Sequence, residues 1–153
     1  MNKTLALSEA VYSQPSVAAI GIACHEAGHA IQHARKYAPL WLRSTLVPVA
    51  GIGSKLGMGV MIAGIFFQAQ SLVGIGALLF SAVVLFQIVT LPVEFDASAR
   101  AKRLAFEYGL VSAHERQGVS KVLNAAALTY VAAAASSILT LLYYLWRAGF
   151  LRR

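Results

Sequence analysis

The feature that most constrains the fold of this chain is a stretch without any ionisable acid or base, residues 56–93. Its 38 residues are nearly twice the ~20 apolar residues that one bilayer crossing needs. The stretch therefore predicts two membrane crossings, over residues 49–67 and 72–91. A turn at residues 68–71 is expected to join them.

A second uncharged stretch, residues 122–146, predicts a third crossing. The composition agrees, because 58% of the chain is apolar and only 12% is charged, against about 45–50% and about 25% in soluble domains. Inside a bilayer the backbone is satisfied only in helices or closed barrels, and no strong strand pattern is visible. We therefore expect an all-α integral membrane protein, in which residues 1–153 form one domain embedded in the lipid bilayer.

The 13 basic residues outnumber the 6 acidic ones and give a net charge of +7. They lie beside the long apolar stretches instead of along one polar face, which argues against nucleic acid as a partner. Ten of them precede or follow the uncharged stretch 56–93 of the predicted hairpin, none lies in its turn, and three lie in the C-terminal tail. By the positive-inside rule, this distribution predicts that the ten face the cytoplasm.

Two further segments are predicted to be helical. Residues 16–36 contain no helix breaker before Pro39, and residues 94–108 continue the second crossing as a charged helix that ends at Gly109. The one cysteine, Cys24, excludes a disulfide framework and a zinc site built from several cysteines.

The helix predicted over 16–36 contains an HExxH motif, His25-Glu26-Ala27-Gly28-His29. His25 and His29 lie on one helix face, where two imidazoles can bind one zinc ion. Glu26 can then reach a metal-bound water and act as a general base. The alternative is that these polar side chains hydrogen-bond to one another. Ionisable groups in apolar helices of membrane proteins are costly and usually functional, so metal binding is the favoured interpretation.

A catalytic zinc site needs a third protein ligand, and Glu94 is the favoured candidate. It lies at the mouth of the second crossing, where a carboxylate needs a partner. Asp96 is the alternative, although it points to roughly the opposite helix face. Either acid could instead be an N-terminal helix charge beside Pro92. His33 is a poor ligand, because residues eight apart on a straight helix are separated by about 12 Å along its axis.

Asn124 and Tyr130 are polar residues of the third predicted crossing. Either side chain could donate a hydrogen bond to a substrate carbonyl or oxyanion. A hydrogen bond between helices is the favoured role for both.

The chain resembles the YugP-type family of neutral zinc metallopeptidases of bacterial membranes in four blocks that occur in order: HEAGHAIQHA, YAPLWLRSTLVPVAGIGS, LFQIVTLPVEFDASARA and VLNAAALTYVAAA. The resemblance implies a multi-pass zinc metalloendopeptidase of the bacterial plasma membrane. The distribution of basic residues predicts that its active site lies on the cytoplasmic side. It would hydrolyse protein or peptide substrates with a zinc-activated water. His25 and His29 would be zinc ligands, and Glu26 would be the catalytic base.

The segment EFDAS also resembles the second motif of the HtpX-type membrane proteases, which maps Glu94 onto their third zinc ligand. Ser98 stands where that motif often has an aspartate. Family members usually carry an N-terminal membrane helix and a polar segment ahead of the TLALSEAVY stretch, whereas this chain begins almost at that stretch. This departure bears on activity more than on metal binding.

Two other functions remain as alternatives. A catalytically silent membrane scaffold would keep the zinc to hold its helices together, or lack it, and the short N-terminal part favours this reading. A metal transporter would need ionisable residues within the crossings, which the stretches 56–93 and 122–146 lack. The sequence predicts neither the substrate nor the oligomeric state.

Overall fold

A computed structural model describes residues 4–151 of the chain. Within these residues the secondary structure is entirely helical, without a β-strand. The helices are α1 (Glu9–Tyr12), α2 (Val17–Ala34), α3 (Ala38–Phe66), α4 (Gln70–Glu107) and α5 (Arg116–Arg147). Three of them, α3, α4 and α5, are long and apolar enough to cross a membrane. The predicted all-helical membrane fold, with the HExxH motif on a helix of its own, is therefore confirmed.

All three membrane helices extend beyond the predicted crossings. α3 already begins at Ala38, with Pro48 inside it, and α5 begins at Arg116. α4 continues through Pro92 to Glu107, so the charged helix continues the second crossing, as the sequence predicts. An internal proline removes one backbone hydrogen bond. Membrane helices tolerate this loss where neighbouring groups satisfy the freed carbonyl.

Local sequence signals set the helix ends. The Ser16 hydroxyl accepts a hydrogen bond from the backbone N–H of Ala19 and caps the start of α2. Lys36, just after α2, and Gln68, between α3 and α4, adopt left-handed φ angles of 52° and 54°. Gly109 follows α4 with a φ of 61°, a conformation that glycine adopts without steric cost.

The chain divides into two compact units. The first comprises the chain up to Leu40 together with Leu91–Tyr130. The second comprises Trp41–Thr90 and the chain from Val131 onward. The HExxH helix α2 belongs to the first unit, together with the last part of α4 and the first part of α5.

In the first unit, α2 packs closely against α4. Gly28 lies so near Ala97 that their backbones are in contact. Small apolar side chains fill much of the space around this contact, which lets the helices approach closely. The buried core consists of Cys24, Ala101, Ala105, Val111, Val119 and Leu123.

In the second unit, α3 and the first part of α4 form an antiparallel hairpin, since Gly53 faces Leu79 while Gly64 faces Val73. A Cβ atom on Gly53 would lie 2.5 Å from the carbonyl oxygen of Leu79, so only glycine permits this approach. Such contacts between small residues are typical of helix pairs in membranes. The buried core consists of Met61, Ala77, Phe80 and Val84.

Candidate metal centre

Helix α2 presents the two histidines of the HExxH motif side by side. His25 and His29 are four residues apart, and their imidazole centroids are separated by 4.7 Å with the rings nearly perpendicular. Both side chains are largely buried, with exposed fractions of 14% and 21%. The helical spacing thus brings two nitrogen ligands to one place, as the sequence predicts.

Helix α4 brings the carboxylate of Glu94 to the two histidines. Its Oε2 atom lies 3.2 Å from Nε2 of His25 and 3.5 Å from Nε2 of His29. The Glu94 side chain is only 2% exposed. A buried carboxylate is costly unless charged or hydrogen-bonded partners surround it. This site supplies two imidazoles within reach of one oxygen.

The donor set fits a zinc ion. One ligand atom from each of His25, His29 and Glu94 lies within 4.8 Å of the others. Donors that bind one tetrahedral zinc at about 2.1 Å are about 3.4 Å apart. This separation lies between the two distances from Oε2 of Glu94 to the imidazole nitrogens, 3.2 Å and 3.5 Å. Two imidazole nitrogens with one carboxylate oxygen is also a ligand set found in catalytic zinc sites, where a fourth position stays open for water or substrate.

The electrostatic environment favours a positive charge between these groups. The hydrogen bond to Glu94 raises the pKa of His29 above its ordinary value, although burial acts in the opposite direction. A hydrogen bond to Gln32 and the negative charges of Glu94 and Glu26 also raise this pKa. The same carboxylates would attract a divalent cation in place of the proton.

Glu26, the predicted general base, lies beside His25 in α2 and is partly buried. It is not one of the three residues whose donor atoms converge. Its negative charge contributes to raising the pKa of His29, which lies three residues later in the same helix. A carboxylate beside a metal site, but outside its ligand set, is free to accept a proton.

Two further side chains contact the outer nitrogens of the imidazoles. The Ser98 hydroxyl lies 3.2 Å from Nδ1 of His25, and Oε1 of Gln32 lies 2.9 Å from Nδ1 of His29. Ser98 therefore contacts the first histidine although it replaces the aspartate of the related motif. Gln32 is not among the site residues predicted from the sequence. Its spacing of three residues from His29, on the same helix face, is the signal that could have found it.

Asp96, the alternative third ligand, lies outside the group of converging donors. Its Oδ2 atom accepts hydrogen bonds from Nε2 of Gln32 and from Nε of Arg100, at 2.7 Å and 2.6 Å. The guanidinium of Arg100 also donates to Oδ1 of Asp96 at 3.1 Å. His33 is exposed and also lies outside the group. Asp96 thus contacts the surroundings of the site instead of the position where a metal would bind.

The polar residues predicted in the third crossing, Asn124 and Tyr130, both belong to α5. Lys102 of α4 donates a hydrogen bond to Oδ1 of Asn124 in α5 at 2.7 Å, which is the interhelical role favoured for Asn124. Both residues line a cavity of about 560 Å³ that Ser98 also borders. Tyr130 belongs to α5 and is partly buried.

Comparison with known proteins identifies the family of this chain. A family model described as "Putative neutral zinc metallopeptidase" matches residues 1–149. The chain is also 46% identical over 142 residues to a protein of Bacillus subtilis (strain 168) named "Putative membrane protease YugP". That alignment covers 93% of this chain but 63% of the relative, so the chain spans less than two thirds of its length. No solved structure gives a significant match. The chain is a membrane protein and belongs to the family of neutral zinc metallopeptidases.

Proposed function

We propose that this chain is a membrane-bound zinc metalloendopeptidase. The observation that carries the proposal is the convergence of His25, His29 and Glu94 from two helices, with Glu26 beside the first histidine. The family description and the name of the Bacillus relative support the same class of reaction.

His25, His29 and Glu94 would hold the zinc ion. When bound, zinc would supply Lewis acidity, lowering the pKa of a water molecule and polarising the carbonyl group of a peptide bond. The protein contributes the fixed positions of the three ligands and the burial that excludes competing water from Glu94.

Glu26 would act as the proton carrier. Its carboxylate takes a proton from the water as the water oxygen attacks the carbonyl carbon. The same carboxyl group then gives a proton to the amide nitrogen as the carbon–nitrogen bond breaks. The products are one peptide with a new carboxylate and one with a new amine, and no covalent bond to the enzyme forms.

The substrate would be a protein or peptide that reaches the site from the cytoplasm. Nine basic residues lie on the sequence segments that adjoin the HExxH helix and the α4–α5 connection. A tenth, Lys55, lies within α3, and none lies in the α3–α4 turn. This asymmetry supports an orientation with α2 at the cytoplasmic face of a bacterial plasma membrane.

The test is a combined metal and cleavage assay on the detergent-purified chain. Zinc content is measured in the purified protein, after chelation, and after zinc is added back, and cleavage of an unfolded casein substrate is followed in each sample. The proposal expects about one zinc per chain and cleavage that chelation abolishes and zinc restores. Cleavage that persists after complete metal removal would contradict it.

A further inference from the structure

Gln32 is a buried polar side chain with a fully specified set of hydrogen bonds. Its exposed fraction is 0% although it lies in the last part of α2. Its Nε2 atom donates to the backbone carbonyl of Val93 at 2.8 Å and to Oδ2 of Asp96 at 2.7 Å. Both partners come from α4 and can only accept hydrogen bonds. Arg100 also donates to both oxygens of the Asp96 carboxylate, so these oxygens act as acceptors.

These two bonds determine which way the amide of Gln32 is turned. An amide nitrogen has two hydrogens, and here a separate acceptor takes each of them. The amide oxygen must therefore be the atom that faces Nδ1 of His29, at 2.9 Å. A flipped amide would direct its oxygen at two acceptors and lose both bonds, leaving buried polar groups unsatisfied.

The orientation of Gln32 in turn determines the tautomer of His29. Because the amide oxygen can only accept, Nδ1 of His29 must carry the hydrogen of this bond. In a neutral imidazole the other nitrogen then has a free lone pair, and Nε2 is the atom that lies 3.5 Å from the Glu94 carboxylate. The lone pair therefore points into the position that the three donors enclose.

We propose that Gln32 is a positioning residue that holds His29 in the Nδ1–H tautomer, so that Nε2 is ready to bind a metal ion. The proposal rests on the proposed function only for the identity of that metal, because the tautomer is a property of the metal-free protein. Partners of this kind raise the basicity of a ligating histidine and fix its ring orientation.

His25 provides an internal comparison. Its Nδ1 atom contacts the Ser98 hydroxyl at 3.2 Å. A hydroxyl can donate or accept, so this contact does not by itself select a tautomer. Ser98→Ala thus removes a contact to the neighbouring histidine and leaves the Gln32 bonds intact, which makes it the matched control.

The experiment compares wild type with Gln32→Met, Gln32→Glu and Ser98→Ala in detergent. Histidines are labelled with ¹⁵N, and the tautomer of His29 is read by NMR in metal-free protein at a pH where the imidazoles are neutral. Zinc affinity is measured in parallel. Gln32→Met has a similar length but no acceptor of comparable strength, whereas Gln32→Glu keeps an oxygen that accepts from Nδ1–H but loses the hydrogens that Val93 and Asp96 accept.

We expect the Nδ1–H tautomer at His29 in wild type, Ser98→Ala and Gln32→Glu, and a mixture of tautomers in Gln32→Met. Zinc affinity should fall about 10–100-fold in Gln32→Met and by less in Gln32→Glu. An Nε2–H tautomer in wild type, or unchanged zinc affinity in Gln32→Met, would overturn the proposal. If Gln32→Met does not fold, the tautomer of His29 in the wild type decides. A wild-type protein that neither prefers the Nδ1–H tautomer nor binds zinc would refute both proposals. A wild-type protein that prefers this tautomer but does not bind zinc would refute only the proposal of a zinc peptidase.

Discussion

Gly28 of the HExxH helix lies against the backbone of Ala97 in α4: a Cβ atom on Gly28 would be 2.6 Å from the Ala97 carbonyl oxygen. No real side chain fits at that distance, and a backbone carbonyl inside a helix cannot move aside cheaply. This contact holds α2 at the distance from α4 at which Glu94 reaches His25 and His29.

Gly28→Ala should therefore push the two helices apart. We expect a loss of about 1–3 kcal/mol in the free energy of unfolding, as for other overpacked positions, together with weaker zinc binding. Thermal unfolding and zinc titration in detergent measure the two effects. Gly21→Ala on the same helix is the control, because its Cβ would lie 3.7 Å from the nearest atom, an ordinary contact. Equal behaviour of the two variants would show that the close approach does not matter.

The choice between Glu94 and Asp96 of α4 gives a second prediction. Glu94→Gln should abolish stoichiometric zinc binding, because it replaces a ligand that is 2% exposed and lies 3.2 Å from His25. Asp96→Asn should still bind one zinc, because Asp96 contacts Gln32 and Arg100 and not the histidines. Metal analysis after dialysis distinguishes the variants. Zinc retained by Glu94→Gln but lost by Asp96→Asn would reverse the assignment.

The sequence could predict the two histidines and Glu94 for different reasons. The HExxH spacing alone places His25 and His29 on one helix face, because the helical repeat is a local property. Glu94 can be predicted because the chain has only 6 acidic residues and this one directly follows a long uncharged stretch. The fold class follows from the uncharged stretches, because backbone groups in lipid have few alternatives to a helix.

Gln32 could not be recognised in the same way. Its role depends on the backbone carbonyl of Val93 and the carboxylate of Asp96, and the first of these lies 61 residues later in the chain. Such contacts arise only once α2 and α4 have packed. Similarly, the length of α3 was not predictable from apolar runs, because Pro48 is tolerated inside the helix.

Zinc should stabilise the folded protein by mass action. With free zinc at 100 times its dissociation constant, the gain is about 2.7 kcal/mol, which raises the midpoint of thermal unfolding in detergent. His25→Ala should lose most of this zinc-dependent rise, whereas His33→Ala should keep it, because His33 is exposed and lies outside the converging donors. A rise of equal size in His25→Ala would argue that zinc binds elsewhere.

Membrane orientation is open to a direct test with reporter fusions. The distribution of basic residues predicts that a reporter at Gln70, the first residue of α4 after the turn from α3, lies outside the cytoplasm. A reporter at Gly109, after α4, should lie inside. The C-terminus should again lie outside. The reverse pattern at Gln70 and Gly109 would place the HExxH helix on the other side of the membrane.

The most direct test of the central claim is a comparison of Glu26→Gln with wild type, in which zinc occupancy and casein cleavage are measured on the same samples. Glutamine has a similar shape but cannot take a proton from the attacking water, and general base catalysis typically contributes about 10²–10⁴-fold. We predict equal zinc occupancy in the two proteins and a loss of cleavage of at least that order in Glu26→Gln. Equal occupancy with equal cleavage would contradict the role of Glu26, and equal occupancy without cleavage in either protein would favour a silent zinc-binding scaffold over an enzyme.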